Sequence, residues 1–164
     1  MDYVSKTGKQ FTIGTVGKEF IAELVDMRME YIKADFGISS GDKCEEIRSK
    51  LPEYFEKHLE NDLFAYNAME NEKMAATVFL AVDERPASPS YMTGKKGTLL
   101  NVLTLEDYRH HGLAKQLVQM AINDGRNIGL SHIELSATSD GYGLYKLLGF
   151  EDSKSHYTEM IYHY

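Results

Sequence analysis

A short turn near residue 110 combines residue types that bind phosphate groups. The sequence runs L-L-N-V-L-T-L-E-D-Y-R-H-H-G-L-A-K, in which a strand pattern ends near Thr104 and a helical pattern begins at Gly112. The first N–H groups of a helix lack partners and carry partial positive charge, so they can hold a diphosphate. Gly112 lets phosphate oxygens approach the backbone, and Ala114 leaves further room. Positive charge is available from Arg109, His110, His111 and Lys115.

Two other phosphate-binding motifs are absent from the sequence. No G-x-x-x-x-G-K-[ST] string occurs, which excludes a P-loop. Gly141-Tyr142-Gly143 lies in a helical pattern without a third glycine, so it is not a dinucleotide fingerprint. An ordinary helix start that happens to contain a glycine is the alternative for the turn at Gly112.

Two motifs together resemble the GNAT acetyltransferases. R-H-H-G-L-A matches that family's Q/R-x-x-G-x-G/A signature, and N-V-L-T-L-E-D-Y resembles the approach to it. Further on, L-S-A-T-S-D-G-Y-G-L-Y-K-L-L-G-F resembles the second signature, a helix with L-Y that ends in G-F. The resemblance is close over residues 74–152. It implies one GNAT domain over residues 1–164, an α/β (α+β) fold whose mixed, mostly antiparallel sheet carries helices on both faces.

The resemblance also implies a reaction and a set of site residues. A primary amine of a small molecule would attack the thioester of acetyl-coenzyme A directly, in a ternary complex. The backbone of Leu103, Thr104 and Leu105 would contact the pantetheine and acetyl groups, and the Thr104 amide would stabilise the oxyanion. The amides around residues 109–114 would bind the pyrophosphate. The full set implied for the cofactor is Leu103, Thr104, Leu105, Arg109, His110, His111, Gly112, Leu113, Ala114 and Lys115.

The resemblance places Tyr145 at the position of the family's general acid. A phenol with an ordinary pKa near 10 is protonated at neutral pH and can donate to a departing thiolate. The alternative is a half-buried aromatic residue that packs beside Leu144 and Leu148. No general base is selected; a water chain to Glu30 or Glu134 is compatible with the sequence.

Contacts to the acceptor are expected from the first two helices and a long loop. We expect Arg28, Tyr31 and the loop at residues 83–97 to lie near the acceptor. This expectation follows from the resemblance to the family, because no motif in the sequence marks an acceptor site.

The elements that must position these residues follow from hydrophobic periodicity. Strands are predicted at residues 10–16 (an edge strand), 62–69, 74–82, 98–105, 133–137 and 156–163. Helices are predicted from Gly17, over residues 43–58 with a disturbance at Pro52, over residues 112–128 and over residues 141–148. Gly149 is expected to end the last helix in a left-handed conformation.

The composition narrows the classes of partner. The net charge of −7 over 164 residues argues against nucleic acid and mildly favours a cationic acceptor. No apolar run approaches the roughly 20 residues needed to cross a bilayer. The single cysteine, Cys44, suits a cytoplasmic protein. Adjacent His110 and His111 point in different directions, so no metal is expected. The sequence selects no oligomeric state, and a homodimer is compatible with it.

Two alternatives to a small-molecule acetyltransferase stay open at this point. A catalytically silent sensor of acyl-coenzyme A would keep the phosphate turn and lack the reaction; the missing general base favours it. An acetyltransferase acting on a protein amine or a charged tRNA would keep both the phosphate turn and the reaction. The net negative charge of the chain argues against tRNA.

Overall fold

The strands and helices follow one another in the order of a mixed α/β domain. The computed structural model describes residues 1–154 and 157–164. Within these residues the strands are β1 (Asp2–Val4), β2 (Gln10–Val16), β3 (Leu63–Glu70), β4 (Lys73–Glu84), β5 (Lys95–Thr104) and β6 (Ile133–Glu134). The α-helices are α1 (Ile21–Phe36), α2 (Asp42–His58), α3 (Leu113–Ile128) and α4 (Ser139–Leu147). Short 3-10 helices, Lys18–Phe20 and Glu106–Tyr108, precede α1 and α3.

The described strands form one sheet in the order β1-β2-β3-β4-β5-β6. Neighbours from β1 to β5 are antiparallel, and β5 and β6 are parallel. The predicted mixed, mostly antiparallel sheet is therefore confirmed. The prediction that residues 10–16 form an edge strand is wrong, because β1 pairs with β2 and covers that edge, with Asp2 opposite Thr12.

Strand β4 lies between two apolar cores. Val78 and Leu80 pack in the core that includes Leu117 of α3, whereas Phe79 packs in the core that includes Leu24 of α1. Alternate residues of a strand point to opposite faces, so each face of β4 is covered by a different pair of helices. This arrangement confirms the predicted central position of the strand and the helices on both faces of the sheet.

The β4–β5 hairpin is longer than predicted. Residues 83–97 were expected to form a loop, but Asp83 pairs with Lys96 and Glu84 pairs with Lys95, which leaves residues 85–94 as the connection. The Lys95 Nζ and Glu84 Oε1 atoms lie 3.2 Å apart. Opposite charges that face each other across two strands favour their pairing, so polar residues extend the hairpin here.

The prediction of a strand at residues 156–163 is wrong for residues 157–163, which the structure describes. Residues 157–164 have no regular secondary structure, and His156 lies outside the described residues. Met160 and Tyr162 are 90% and 81% exposed. The predicted strand at residues 133–137 is also shorter, because β6 ends at Glu134. An alternating apolar pattern forms a strand only where a neighbouring edge accepts its hydrogen bonds.

Helix α2 continues through Pro52, where the sequence predicted a disturbance. Proline has no N–H, so the carbonyl of Arg48 loses its helical donor. Phe55 and Leu59 bury this half of the helix in the core with α1, which keeps the helix together. None of the helices among the described residues is long and apolar enough to span a membrane.

Candidate active site

The site opens where β5 and β6 stop pairing. Their described pairs are Gly97 with Ile133 and Thr98 with Glu134. Strand β6 then ends, whereas β5 continues to Thr104. The far half of β5 therefore presents backbone groups to a cleft instead of to a neighbouring strand.

Two adjoining cavities lie along this open edge. The first, here called the turn cavity, has a volume of about 770 Å³ and is bounded by residues 102–104, the turn before α3 and one face of α4. The second, here called the strand cavity, has a volume of about 540 Å³ and is bounded by residues 98–102, residues 134–136 and α1. The two cavities share Tyr31, Val102, Thr138 and Tyr145, so they meet at these side chains.

The turn cavity ends at the first turn of α3. The backbone at Gly112 is left-handed, with φ of 78°, and the residue is the N-cap without a side-chain cap. The N–H of Gln116 donates to the Gly112 carbonyl at 3.2 Å, whereas the N–H groups of Leu113, Ala114 and Lys115 donate to no acceptor in the described part of the chain. No acidic residue lies in this first turn. The turn therefore presents unpaired donors to the cavity, as anion binding requires.

Basic side chains surround these donors. Arg109, His110 and Lys115 are exposed and line the turn cavity. A diphosphate at the start of α3 would thus meet both backbone N–H groups and positive side chains, and the residues present fit that group.

A contact between β1 and the turn before α3, which the sequence did not predict, also fixes the shape of this turn. The Tyr3 hydroxyl of β1 donates to the His111 carbonyl at 2.8 Å. A Cβ at Gly112 would lie 2.8 Å from that same hydroxyl oxygen. Glycine is therefore required here by the left-handed backbone and by the close approach of Tyr3, in addition to the access for phosphate that the sequence indicated.

The structure differs from the prediction at His111. Its Nδ1 lies 2.9 Å from Thr7 Oγ1 and 3.2 Å from Ser5 Oγ, and its ring packs against Phe11 with centroids 5.5 Å apart. The imidazole therefore faces the β1–β2 connection and does not line the turn cavity. Sequence order alone could not show this, because neighbouring side chains in a turn point in different directions.

Leu105 also differs from its predicted place. Its N–H donates to the Ala75 carbonyl at 3.0 Å, and its own carbonyl accepts from the Tyr108 N–H at 2.9 Å. Its backbone polar groups are thus engaged within the fold, and its side chain packs against both cores.

Leu103 and Thr104 line the turn cavity. Successive N–H groups along a strand point to opposite edges. Because the Leu105 N–H points towards β4, the Thr104 N–H points to the opposite edge, where β6 no longer pairs. Its direction suits a donor to an oxygen in the cleft.

Tyr145 lies where the two cavities meet. It is 8% exposed, and its ring packs edge-on against Phe150 with centroids 5.8 Å apart. Burial raises the pKa of the Tyr145 phenol, and the neighbouring Tyr31 raises it further. Helix α4 is held in place by Thr138, whose Oγ1 accepts from the Gly141 N–H at 3.2 Å. The phenol is therefore a protonated group inside the cleft.

Arg28 and Tyr31, predicted near the acceptor, both line the strand cavity. The Arg28 guanidinium lies over the Tyr31 ring, 5.2 Å from its centroid. Burial raises the pKa of Tyr31, and Asp35, which accepts its hydroxyl hydrogen bond at 3.3 Å, adds to the effect.

Asn101 is a cavity residue that sequence reasoning missed. It is 2% exposed in the middle of β5, its backbone has φ of 52°, and the register with β4 shifts between Thr77 and Phe79 opposite it. An asparagine in the apolar run L-L-N-V-L was the available signal, because asparagine tolerates a left-handed backbone better than its apolar neighbours.

Glu30 and Glu134, the two carboxylates considered as ends of a water chain to the amine, lie in different places. Glu134 lines the strand cavity, but its Oε1 is paired with the Lys96 Nζ. Glu30 lies outside both cavities, and its Oε2 is 3.9 Å from the Lys33 Nζ. Within the described residues no group of three or more His, Cys, Asp or Glu side chains could hold a metal ion.

Comparisons with known proteins point to one family. The sequence matches the acetyltransferase (GNAT) family over residues 25–150, which include the turn and α4. A predicted acetyltransferase from Clostridium acetobutylicum, solved with acetyl-CoA, is 27% identical over 92% of this chain and 96% of that chain, with a TM-score of 0.80. No curated protein matches the chain significantly in sequence.

More distant structures share the fold alone. A GCN5-related N-acetyltransferase from Ralstonia eutropha JMP134 is 21% identical over 92% of this chain and 98% of that chain, with a TM-score of 0.72. Glucosamine-6-phosphate N-acetyltransferase from Arabidopsis thaliana is 16% identical over 93% of this chain and 99% of that chain, with a TM-score of 0.68.

Proposed function

Because the chain belongs to the GNAT acetyltransferase family, we propose that it transfers an acetyl group from acetyl-coenzyme A to a primary amine of a small molecule. The observation that carries this proposal is the continuous cleft beside β5. It joins the unpaired amides of α3 to the buried phenol of Tyr145 and continues into a second cavity large enough for a small acceptor.

Acetyl-coenzyme A supplies an activated acetyl thioester to this cleft. In the proposed complex the pyrophosphate is held by the N–H groups that open α3, with Arg109, His110 and Lys115 around it. The pantetheine lies beside residues 102–104, which line the same cavity. Binding both reactants side by side makes the transfer effectively unimolecular.

The chain's own groups then have two tasks during transfer. The Thr104 N–H, which faces the open edge of β5, donates to the thioester oxygen as negative charge develops on it. One such donor is worth about 2.7–4 kcal/mol in acyl transfer. As the amine nitrogen bonds to the acetyl carbon and the C–S bond breaks, Tyr145 donates its proton to the departing thiolate. The proton that the nitrogen loses on becoming an amide passes to water, and the phenol regains a proton from water before the next turnover. Leu105 and His111 have no part in this proposal, because their polar groups are engaged elsewhere in the fold.

The proposal is tested by incubating the protein with acetyl-coenzyme A and a panel of amines while thiol release is measured. We expect release that depends on the amine and saturates in both reactants. Failure of well-folded protein to bind coenzyme A in a calorimeter would refute the proposal.

Binding without turnover on any amine would instead favour a sensor of acyl-coenzyme A. The pairing of Glu134 with Lys96 favours that second candidate, because Glu134 is the one of the two carboxylates considered as ends of a water chain that lines the cleft, and it is already engaged. A protein acceptor would be indicated by turnover on peptides but not on small amines. Cytoplasmic location and a homodimer stay predictions from the sequence.

The raised pKa of Tyr145 predicts how kcat depends on pH. We expect no loss of kcat from deprotonation of this phenol below about pH 10, because burial raises its pKa above the ordinary 10.0. The protonated form is the donor, and it is lost only as the pH rises through the raised pKa. Measuring kcat at saturating reactants across the neutral and mildly alkaline range checks this. An alkaline limb well below the ordinary tyrosine pKa that disappears in Tyr145→Phe would contradict it.

A further inference from the structure

Arg28 is a cation without a counterion in the strand cavity. It is half-buried on α1 and forms no ion pair with a carboxylate among the residues that the structure describes. Its contacts there are the Tyr31 ring and a hydrogen bond from Nη1 to the Asn101 Oδ1 at 3.3 Å. Charged side chains taken out of water are normally paired, so this guanidinium has donors left for a ligand.

Asn101 adds a second donor beside the arginine. Its Nδ2 is buried and has no hydrogen-bond partner within the described residues. The orientation of the amide follows from Arg28: a flipped amide would set the Asn101 NH₂ against a guanidinium N–H. A buried N–H without an acceptor is costly. Because Asn101 lines the strand cavity, a ligand oxygen that reaches this amide would relieve the cost.

The two donors belong to the acceptor side of the cleft. Asn101 and Arg28 line the strand cavity and do not line the turn cavity, where the coenzyme is proposed to lie. The group that they recognise is therefore part of the acceptor amine and not of the thioester.

The charges around the strand cavity indicate which chemical group of the acceptor Arg28 and Asn101 bind. Glu134 and Glu159 also line the strand cavity, and Glu134 is neutralised by Lys96. One unpaired guanidinium beside an amide NH₂ matches a single planar carboxylate. A dianionic phosphate would face the same single cation and the nearby Glu159, which fits less well.

The distance along α1 limits the size of the acceptor. Arg28 lies three residues before Tyr31, which reaches the junction of the two cavities. Three residues of helix rise about 4.5 Å. The acetylated amine, placed at that junction, is therefore only a few bonds from the carboxylate.

We propose that the acceptor is an amino acid, whose carboxylate is bound by Arg28 and Asn101 while its amine lies near Tyr145. This inference rests on the proposed acetyltransfer and names its substrate class. Arg28 is the specificity-determining residue. Asn101 positions the Arg28 guanidinium and adds one N–H donor for the carboxylate.

The test compares amino acids with the amines that lack only the carboxylate, such as phenylalanine with phenethylamine and lysine with cadaverine. We expect kcat/KM to favour an amino acid over its matched amine by about 10-fold or more for at least one pair. In Arg28→Met we expect this preference to be lost, a fall of about 10-fold in the ratio, through KM for the amino acid, and Arg28→Lys should restore part of it.

Asn101→Asp separates recognition from folding. Aspartate tolerates the left-handed backbone and keeps an oxygen for Arg28, but it replaces the N–H donor by a negative charge. We expect it to lose the preference for the carboxylate. Arg126→Met, the same change as Arg28→Met at an exposed residue of α3, is the matched control and should leave the ratio unchanged.

The outcomes distinguish this inference from the proposed function. Turnover that favours the decarboxylated amines, or a ratio that Arg28→Met does not change, overturns the inference alone. If no amine is turned over, the proposed function fails, and calorimetry with the coenzyme A-saturated protein decides the inference. Tighter binding of the amino acid than of its matched amine, lost in Arg28→Met, supports the inference. Equal binding of the two overturns it. An aminophosphate preferred over every amino acid overturns the choice of carboxylate.

Discussion

Tyr145→Phe is expected to lower kcat about 100-fold, with almost no change in the affinity for coenzyme A. The substitution removes the hydroxyl that we propose protonates the departing thiolate. It keeps the ring that packs edge-on against Phe150 at 5.8 Å, so α4 should hold its place. Steady-state rates of thiol release give kcat, and calorimetry with coenzyme A gives the affinity.

Tyr142→Phe is the control on the same helix. The Tyr142 hydroxyl donates to Asp152 at 2.9 Å on the exposed side of α4 and lines neither the turn cavity nor the strand cavity. We expect its kcat to match that of the parent protein. Equal turnover by Tyr145→Phe and the parent would mean that Tyr145 is a packing residue, as the alternative interpretation of the sequence held.

Gly112→Val is expected to weaken coenzyme A binding about 100-fold. A β-branched residue strongly disfavours φ of 78°, and its Cβ would lie 2.8 Å from the Tyr3 hydroxyl. The free protein relieves this strain by moving the turn, which redirects the N–H groups of α3. Binding must then restore the strained turn, so the strain reduces the affinity. Calorimetry with coenzyme A measures the loss, and Gly112→Ala should show a smaller loss in the same direction.

Gly129→Val is the matched control at the other end of α3. Gly129 has nearly the same backbone conformation, with φ of 82°, and a Cβ there would meet no atom within 4 Å. The substitution should lower stability through backbone strain without changing the affinity for coenzyme A. If both variants weaken binding alike, the effect is a general loss of helix stability, and the role proposed for the turn is wrong.

Short-range periodicity predicted most of the fold correctly. Strand β2 occupies residues 10–16 as predicted, and α3 ends at Ile128 as its apolar stripe indicated. Gly149 takes a left-handed backbone, with φ of 92°, just after the last helix. These features depend on neighbouring residues: a helix or strand must turn its apolar residues to one side, and glycine is favoured wherever φ is positive.

Features that depend on distant residues were missed or wrong. Strand β1 is three residues long and forms because β2 offers it an edge. The tyrosine-rich segment after residue 156 alternates like a strand but pairs with none within the described residues. The end of β6 at Glu134 opens the cleft, and no local pattern marks where two parallel strands separate.

The sequence by itself determined the family and placed Gly112 and Tyr145 in its two motifs, because these motifs are contiguous and their spacing is set along one chain segment. Only the tertiary structure decided that His111 faces the β1–β2 connection and that Leu105 bonds to Ala75. It alone also brought Arg28 to Asn101, which lies 73 residues further along the chain. The physical reason is that a side chain's partners are chosen by packing between distant segments, and that packing leaves no signal in the neighbouring residues.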